Sequence, residues 1–218
     1  MTTFISRREL LRRAGLAGAV AIVTPSLATG DAAAQGASVA ARAGRPLARP
    51  PLEHLTAAEA DVLDAIVARL IPSDADGPGA LEAGATHYID HALGGALATF
   101  RESYASGLAA LDRYARASRG QGFTGLSGPE QDAALTEVEA GTAPGFPGSA
   151  AFFALVRGHT IQGTFCDPYY GGNSSFVGWD LIGYPGVRTT ASADEQRLGA
   201  SVPANHKSAY DYDMFNKA

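Results

Sequence analysis

Residues 55–74 read Leu-Thr-Ala-Ala-Glu-Ala-Asp-Val-Leu-Asp-Ala-Ile-Val-Ala-Arg-Leu-Ile-Pro-Ser-Asp, and this stretch decides the fold class. Thr56 and Glu59 have the spacing of a capping box, in which each side chain binds the other residue's backbone N–H at a helix start. Behind the box, large apolar residues recur every three or four positions, which predicts a helix with one apolar face: Val62, Leu63, Ile66, Val67 and Leu70. Pro72 is expected to end this helix.

Four further segments carry the same helical period. They run from about Ala80 to Leu93, from about Ala98 to Ser118, from Ser127 to Gly141 and from Ser149 to Thr164. The third of these opens with a serine cap, a proline in the first turn and a glutamate at the third helical position. No segment alternates apolar and polar residues as a half-buried strand does. The sequence therefore predicts an all-α fold, a compact irregular helical bundle.

Composition narrows the function. The chain has 218 residues, 46% hydrophobic and 18% charged, with a net charge of −5 and a single cysteine. No basic face offers an electrostatic footprint for nucleic acid. One cysteine excludes a four-thiolate zinc site, an iron–sulfur cluster held by this chain alone and an internal disulfide framework. No apolar run approaches the ~18 residues that a membrane span needs.

The N-terminus resembles an export signal. Arg7 and Arg8 are adjacent, a weakly apolar stretch follows over residues 14–23, and small residues at 32–34 offer a cleavage site. This order is typical of a signal peptide, and the arginine pair indicates the twin-arginine class. We therefore expect a signal peptide over residues 1–34 and a periplasmic location. An uncleaved leader that anchors the chain to the membrane is the alternative.

A flexible linker is predicted over residues 35–53, because they lack periodicity and almost lack large apolar side chains. A single helical domain is predicted over residues 54–218. Within it, residues 166–188 are rich in glycine and in aromatic residues, which disordered segments lack: Tyr169, Tyr170, Phe176, Trp179 and Tyr184. We expect a long ordered loop that is neither helix nor sheet. Residues 203–218 add exposed aromatics at the terminus, which indicates a tail that docks onto this chain or onto a partner.

No active-site motif is convincing. Residues 120–125 match the glycine pattern of dinucleotide-binding proteins but follow a predicted helix, whereas that motif requires a preceding strand. His87 and His91 lie four apart beside Asp90, yet they lack the glutamate and the third ligand of a zinc hydrolase. The sequence therefore predicts no catalytic, cofactor-binding or metal-binding residue in this chain.

Cys166 leaves alternatives open. With His159 and Asp167 it could form a nucleophilic trio, since a thiol needs a base to become a thiolate. It could equally be a buried free thiol, or form an intermolecular disulfide in an oxidising compartment. The enzyme or ligand-binding alternative places a pocket among His159, Cys166, Asp167, Tyr169 and Trp179.

Two stretches, Leu55–Asp74 and Asp167–Gly186, together with the arginine-pair leader, resemble the gluconate 2-dehydrogenase subunit 3 family. The resemblance covers most of residues 53–188, and the loop is its specific part. It implies a cofactor-free small subunit of a periplasmic or membrane-associated sugar or sugar-acid dehydrogenase. The partner implied is a large FAD-dependent subunit of the glucose–methanol–choline type, with a c-type cytochrome subunit that carries haem. The large subunit is expected to be exported bound to the small one.

Under this hypothesis the chain is an escort without catalysis of its own, and its interface lies on the loop and the tail. The interface residues expected on the loop are Asp167, Pro168, Tyr169, Tyr170, Gly171, Gly172, Asn173, Trp179, Tyr184, Pro185 and Gly186.

Overall fold

The computed structural model describes residues 51–75 and 77–215, so the predicted signal peptide and most of the predicted linker lie outside the described residues. The described chain is helical and contains no strand, which confirms the all-α bundle. None of its helices is both long enough and apolar enough to cross a membrane. The helices are α1 (Ala57–Leu70), α2 (Ala85–Ala92), α3 (Arg101–Arg119), α4 (Gly128–Glu139), α5 (Ser149–Phe165) and α6 (Val177–Ile182).

Both predicted capping boxes form. At α1, the Glu59 N–H donates to the Thr56 hydroxyl and the Thr56 N–H donates to the Glu59 carboxylate. These contacts and the Arg101 guanidinium hold the pKa of Glu59 below its usual range, although partial burial opposes them. At α4, the same exchange joins Ser127 and Glu130. Local sequence therefore fixes the starts of these two helices.

Two predicted starts are wrong. The second helix was expected from Ala80, but α2 begins at Ala85, because Gly84 adopts a left-handed φ of 76° that interrupts the helix. The third was expected from Ala98, but residues 98–100 form a 3-10 turn that runs into α3 at Arg101. The C-terminal end of α3 agrees with the prediction, since Gly120 follows it in the left-handed conformation.

The fifth helix is the centre of the bundle. α5 contacts each of the other five helices. Its buried side chains complete a core whose largest fully enclosed members come from every part of the bundle: Leu63, Ile66, Ile89, Tyr104, Leu108, Leu111, Phe123, Val138 and Val156. Helix α2 lies so close to α5 that a side chain at Gly163 would overlap Tyr88. The central helix therefore carries the loop that follows it on a well-packed support.

A buried carboxylate holds the beginning of the described chain. Asp90 on α2 is fully enclosed. Its two oxygens accept N–H groups from Glu53, His54 and Leu55 at 2.7, 3.0 and 2.6 Å. A buried carboxylate is stable only when such donors replace its water. Asp90 thereby fixes the segment that leads into α1.

Candidate functional site

The segment that follows α5 differs from its prediction. Residues 166–188 were expected to be neither helix nor sheet, yet they contain α6 and two 3-10 turns, Pro168–Tyr170 and Ser174–Phe176. Helix α6 is only six residues long, and its sequence has too few turns for a periodic pattern to show. Helix α6 is therefore stabilised by tertiary contacts, because its local sequence does not specify a helix.

Asn173 makes the hydrogen bonds that connect the two halves of this loop. It is fully buried and adopts a left-handed φ of 44°, a conformation that asparagine tolerates better than most residues. Its Oδ1 accepts the N–H groups of Gly178 and Trp179 at 2.8 and 3.3 Å, which caps the start of α6. Its Nδ2 donates to the Cys166 carbonyl at 2.9 Å. One side chain therefore joins both halves of the loop.

Two glycines allow the loop to lie directly on the end of α5. A Cβ at Gly172 would overlap the Gly163 carbonyl, and one at Gly178 would overlap the Thr164 carbonyl. In this space the Asn173 N–H donates to the Gly163 carbonyl at 2.8 Å. At Gly172 and Gly178, glycine is therefore required for close backbone approach.

Aromatic rings pack around Trp179, which lies on α6. Trp179 is buried, and its Nε1 donates to the Phe165 carbonyl at 3.0 Å. Tyr184 meets the Trp179 ring edge to face at 4.8 Å between centroids, and Phe176 lies 5.4 Å from it. These rings pack together within the loop, whereas Tyr169 and Tyr170 extend into solvent.

The C-terminal tail folds back onto this loop. The Asp167 carboxylate accepts the Ser208 hydroxyl at 2.6 Å and the Ala209 N–H at 2.9 Å. Tyr210 stacks on Tyr169 with 3.6 Å between centroids, and its hydroxyl shares a 3.1 Å hydrogen bond with Tyr170. That hydrogen bond is the main cause that raises the pKa of Tyr210 to about 12.

Further contacts fasten the tail between residues 205 and 212. His206 forms a 2.8 Å contact with the Asp180 carboxylate and stacks on Phe176. The Asn205 N–H donates to the Pro185 carbonyl at 2.9 Å, and the Tyr212 hydroxyl donates to Val187 at 2.8 Å. Loop and tail are therefore one structural unit in the described chain.

This unit presents large apolar side chains to solvent. Tyr169 is 62% exposed, Ile182 60% and Met214 60%. We call the exposed apolar residues of the loop and tail the loop–tail surface; its members are Tyr169, Tyr170, Leu181, Ile182, Tyr184, Met214 and Phe215. Exposed aromatic side chains on an ordered segment are typical of protein-binding surfaces.

The trio considered from the sequence does not assemble. His159 is buried on α5, where it shares a 3.0 Å hydrogen bond with the Tyr104 hydroxyl, and burial lowers its pKa. Cys166 lies seven residues further on, about 10 Å along the helix axis. The Asp167 carboxylate is bound by the tail instead. His159 and Asp167 are therefore both engaged with other partners, and the predicted trio is not formed.

Metal ligands are also dispersed. Across residues 51–75 and 77–215, no group of three His, Cys, Asp or Glu side chains could hold a metal ion. Asp90, which lies between His87 and His91 in sequence, is turned toward the Glu53–Leu55 backbone. Residues 120–125 connect α3 to α4 through a 3-10 turn, so the glycine pattern there lacks the strand that a dinucleotide site requires.

The Cys166 thiol is half-buried, and burial is the main cause that raises its pKa. Less of it is therefore thiolate, the reactive form, than in an unfolded chain at the same pH. We expect iodoacetamide at pH 8 to alkylate Cys166 at least ~10-fold more slowly in the folded chain than in urea. Mass spectrometry over time measures both rates, and equal rates would contradict the burial.

The sequence left open whether the tail docks onto this chain or onto a partner, and it did not identify the residues that join loop and tail. Ser208 and Asp211 exchange hydrogen bonds as a capping box around a single 3-10 turn, and their three-residue spacing was a readable signal. The role of Asn173 as a cap had no comparable signal, because the N–H groups that its Oδ1 accepts lie five and six residues further along the chain. The burial of Asp90 was likewise not predicted, because its position near His87 and His91 in the sequence drew attention to metal binding instead.

The fold and the loop define an all-α protein in which a glycine- and aromatic-rich loop, residues 166–188, is held on the end of the central helix. The sequence profile described as gluconate 2-dehydrogenase subunit 3 matches residues 57–186, more than half of the chain. The chain belongs to the gluconate 2-dehydrogenase subunit 3 family, whose members are accessory subunits of a multi-subunit dehydrogenase. The match ends at Gly186, so the tail lies beyond it. Neither a curated protein nor a solved structure matches the chain.

Proposed function

We propose that this chain escorts, stabilises and docks onto a FAD-dependent dehydrogenase subunit of the glucose–methanol–choline type. The complex oxidises a sugar, a polyol or a sugar acid such as gluconate, and a c-type cytochrome subunit with haem accepts the electrons. FAD and haem belong to those partners. The twin-arginine leader with Arg7 and Arg8 directs the assembled pair to the periplasm, because that pathway carries folded cargo.

The loop–tail surface is the observation that carries the proposal. Its exposed side chains stand on a support fixed by Asn173, Trp179 and the end of α5. Aromatic side chains held in place lose little conformational entropy on binding, so they contribute strongly to affinity. Buried residues of the loop, Asn173 and Trp179 among them, support the interface without contacting the partner.

The tail refines the interface expected from the sequence. Residues 205–212 dock onto the chain's own loop, whereas Met214 and Phe215 project beyond the last anchoring contact at Tyr212. A partner therefore meets loop and tail together. The His159 imidazole bonds to Tyr104, so the structure gives no support to the His159–Cys166 pair on which the enzyme alternative relied.

The test replaces exposed residues only. A variant with Ile182→Ser and Met214→Ser removes two of the most exposed side chains of the loop–tail surface. Each tagged chain is co-expressed with the genes that surround it, and periplasmic material is purified. We expect the unchanged chain to bring down a large yellow subunit, and the double variant to retain at least ~10-fold less flavin, since hot-spot residues each contribute about 2 kcal/mol or more.

Leu198→Ser is the matched control, because Leu198 is fully exposed and lies outside the loop–tail surface. It should capture flavoprotein as well as the unchanged chain. Equal capture by the double variant would overturn the interface, and a colourless single chain in every case would overturn the escort function. Retention of residues 1–34 in the purified chain would favour the membrane-anchor alternative.

A further inference from the structure

A groove on the bundle shares no residue with the loop–tail surface. Helix α3 forms one wall, and α5 with the turn before it forms the other. The two helices are antiparallel, since Phe100 at the start of α3 contacts His159 late in α5, whereas Gly107 faces Phe152. From Phe100 to Arg113 the groove extends about 20 Å, at 1.5 Å of rise per residue. Its volume is about 470 Å³.

The walls of this groove are apolar for most of its length. Phe100, Phe146, Phe152 and Leu155 line it together with small residues. The volume lies within the range of small-molecule sites, about 300 to 1,000 Å³. Gly107 packs directly against the Phe152 ring, since a side chain at Gly107 would overlap it. A volume of about 470 Å³ along about 20 Å suits a single extended chain rather than a helix about 10 Å wide.

One end of the groove carries a cation without a partner. Of the eight arginines in the part of the chain that the structure describes, seven pair with a carboxylate. The exception is Arg113, which lines the groove on the last turns of α3. In a chain with a net charge of −5, a guanidinium left unpaired at the end of an apolar groove complements a ligand carboxylate.

We propose that this groove binds a single-chain amphipathic carboxylate, a free fatty acid in chemical class. The alkyl chain lies between α3 and α5, and the carboxylate pairs with Arg113. No His, Cys, Asp or Glu lines the groove as described, so the site holds its ligand without converting it. This site is independent of the escort function, because it shares no residue with the loop–tail surface.

Calorimetric titration of the full chain with laurate, below its micelle concentration, tests the site. We expect saturable binding of laurate. Caprate, which has two fewer carbons, should bind at least about tenfold more weakly, because each buried methylene contributes to the binding free energy. Arg113→Gln should weaken laurate binding about 10- to 100-fold, as expected for loss of a charge-assisted pair. Ala151→Trp, which fills the groove from α5, should abolish binding.

Arg197→Gln is the matched control, because Arg197 is an exposed arginine that pairs with Asp194 and does not line the groove. This variant should bind laurate with the affinity of the unchanged chain. Absence of laurate binding overturns the proposal, and so does an Arg113→Gln variant that binds normally. Binding to anionic phospholipid vesicles without binding of free laurate would assign the groove to a membrane surface and overturn the proposal as well. Because Arg113 is exposed, its variant should fold, which circular dichroism verifies.

Discussion

Replacement of Asp90 by alanine is expected to lower the free energy of unfolding by about 3 to 5 kcal/mol. The substitution removes the acceptor of three backbone N–H groups, and the Leu55 N–H is buried where water cannot replace it. Each buried donor left without a partner costs about 1–3 kcal/mol. Urea denaturation followed by circular dichroism at 222 nm measures the change.

Two further variants sharpen this prediction. Asp90→Asn keeps one acceptor oxygen but directs an NH2 group toward backbone donors, so an intermediate loss is expected. Asp213→Ala removes a carboxylate from the exposed tail and should change stability by less than ~0.5 kcal/mol. Hydrogen exchange should also show faster exchange of the amides of residues 53–55 in the Asp90→Ala chain. A loss below ~1 kcal/mol with unchanged exchange would show that Asp90 does not hold this segment.

Asn173→Ala is expected to cost about 3 to 4 kcal/mol, and the loss should fall on the loop and tail first. The Gly178 and Trp179 N–H groups lose their acceptor, and the Cys166 carbonyl loses its donor. Alanine also tolerates the left-handed φ of 44° less well than asparagine, at about 1 kcal/mol. The start of α6 would then be uncapped on a helix too short to persist alone.

Trp179 is the chain's single tryptophan and lies in this loop, so its fluorescence reports the local change directly. Asn173→Ala should shift its emission to longer wavelength at urea concentrations that leave the helical signal at 222 nm intact. Asn173→Gly removes the same side chain but tolerates the left-handed φ, so it isolates the contribution of the side-chain hydrogen bonds. Ser174→Ala changes an exposed neighbour and should behave as the unchanged chain. Coincident fluorescence and helical transitions in Asn173→Ala would mean that loop and bundle unfold as one unit.

These two positions also separate support from recognition in the proposed complex. Asn173→Ala should weaken partner capture by disordering the loop–tail surface, whereas Asp90→Ala should act on stability alone. A deletion of residues 167–188 could not make this distinction, because it would remove buried Trp179 and the cap of α6 together with the exposed side chains.

Local signals allowed much of the bundle to be predicted. The capping boxes at Thr56 and Ser127, the apolar period of α1 and the glycine after α3 each act within a few residues, so sequence order and spatial order coincide. The start of α2 was misplaced because a left-handed Gly84 overrides an otherwise helical pattern. Helix α6 was missed because its cap comes from a side chain that the loop brings back to it.

The candidate site could also be predicted from the sequence only in part. Its composition marked residues 166–188 as important, and the stretch Asp167–Gly186 resembles the family to which the chain belongs. The sequence did not separate the exposed tyrosines from buried Asn173 and Trp179, since all of them stand in one glycine-rich run. The pairing of Asp167 with Ser208, 41 positions away, required the folded chain.

The sequence by itself determined that this protein is a helical bundle, where most of its helices end and which loop distinguishes it, because caps, glycines and apolar periods act through neighbouring residues. Only the tertiary structure decided that Asp90 holds the incoming chain, that the tail covers the loop, and that Arg113 faces an apolar groove without a carboxylate partner. Those facts depend on which distant groups share a small volume, and burial sets the cost of leaving any of them unpaired.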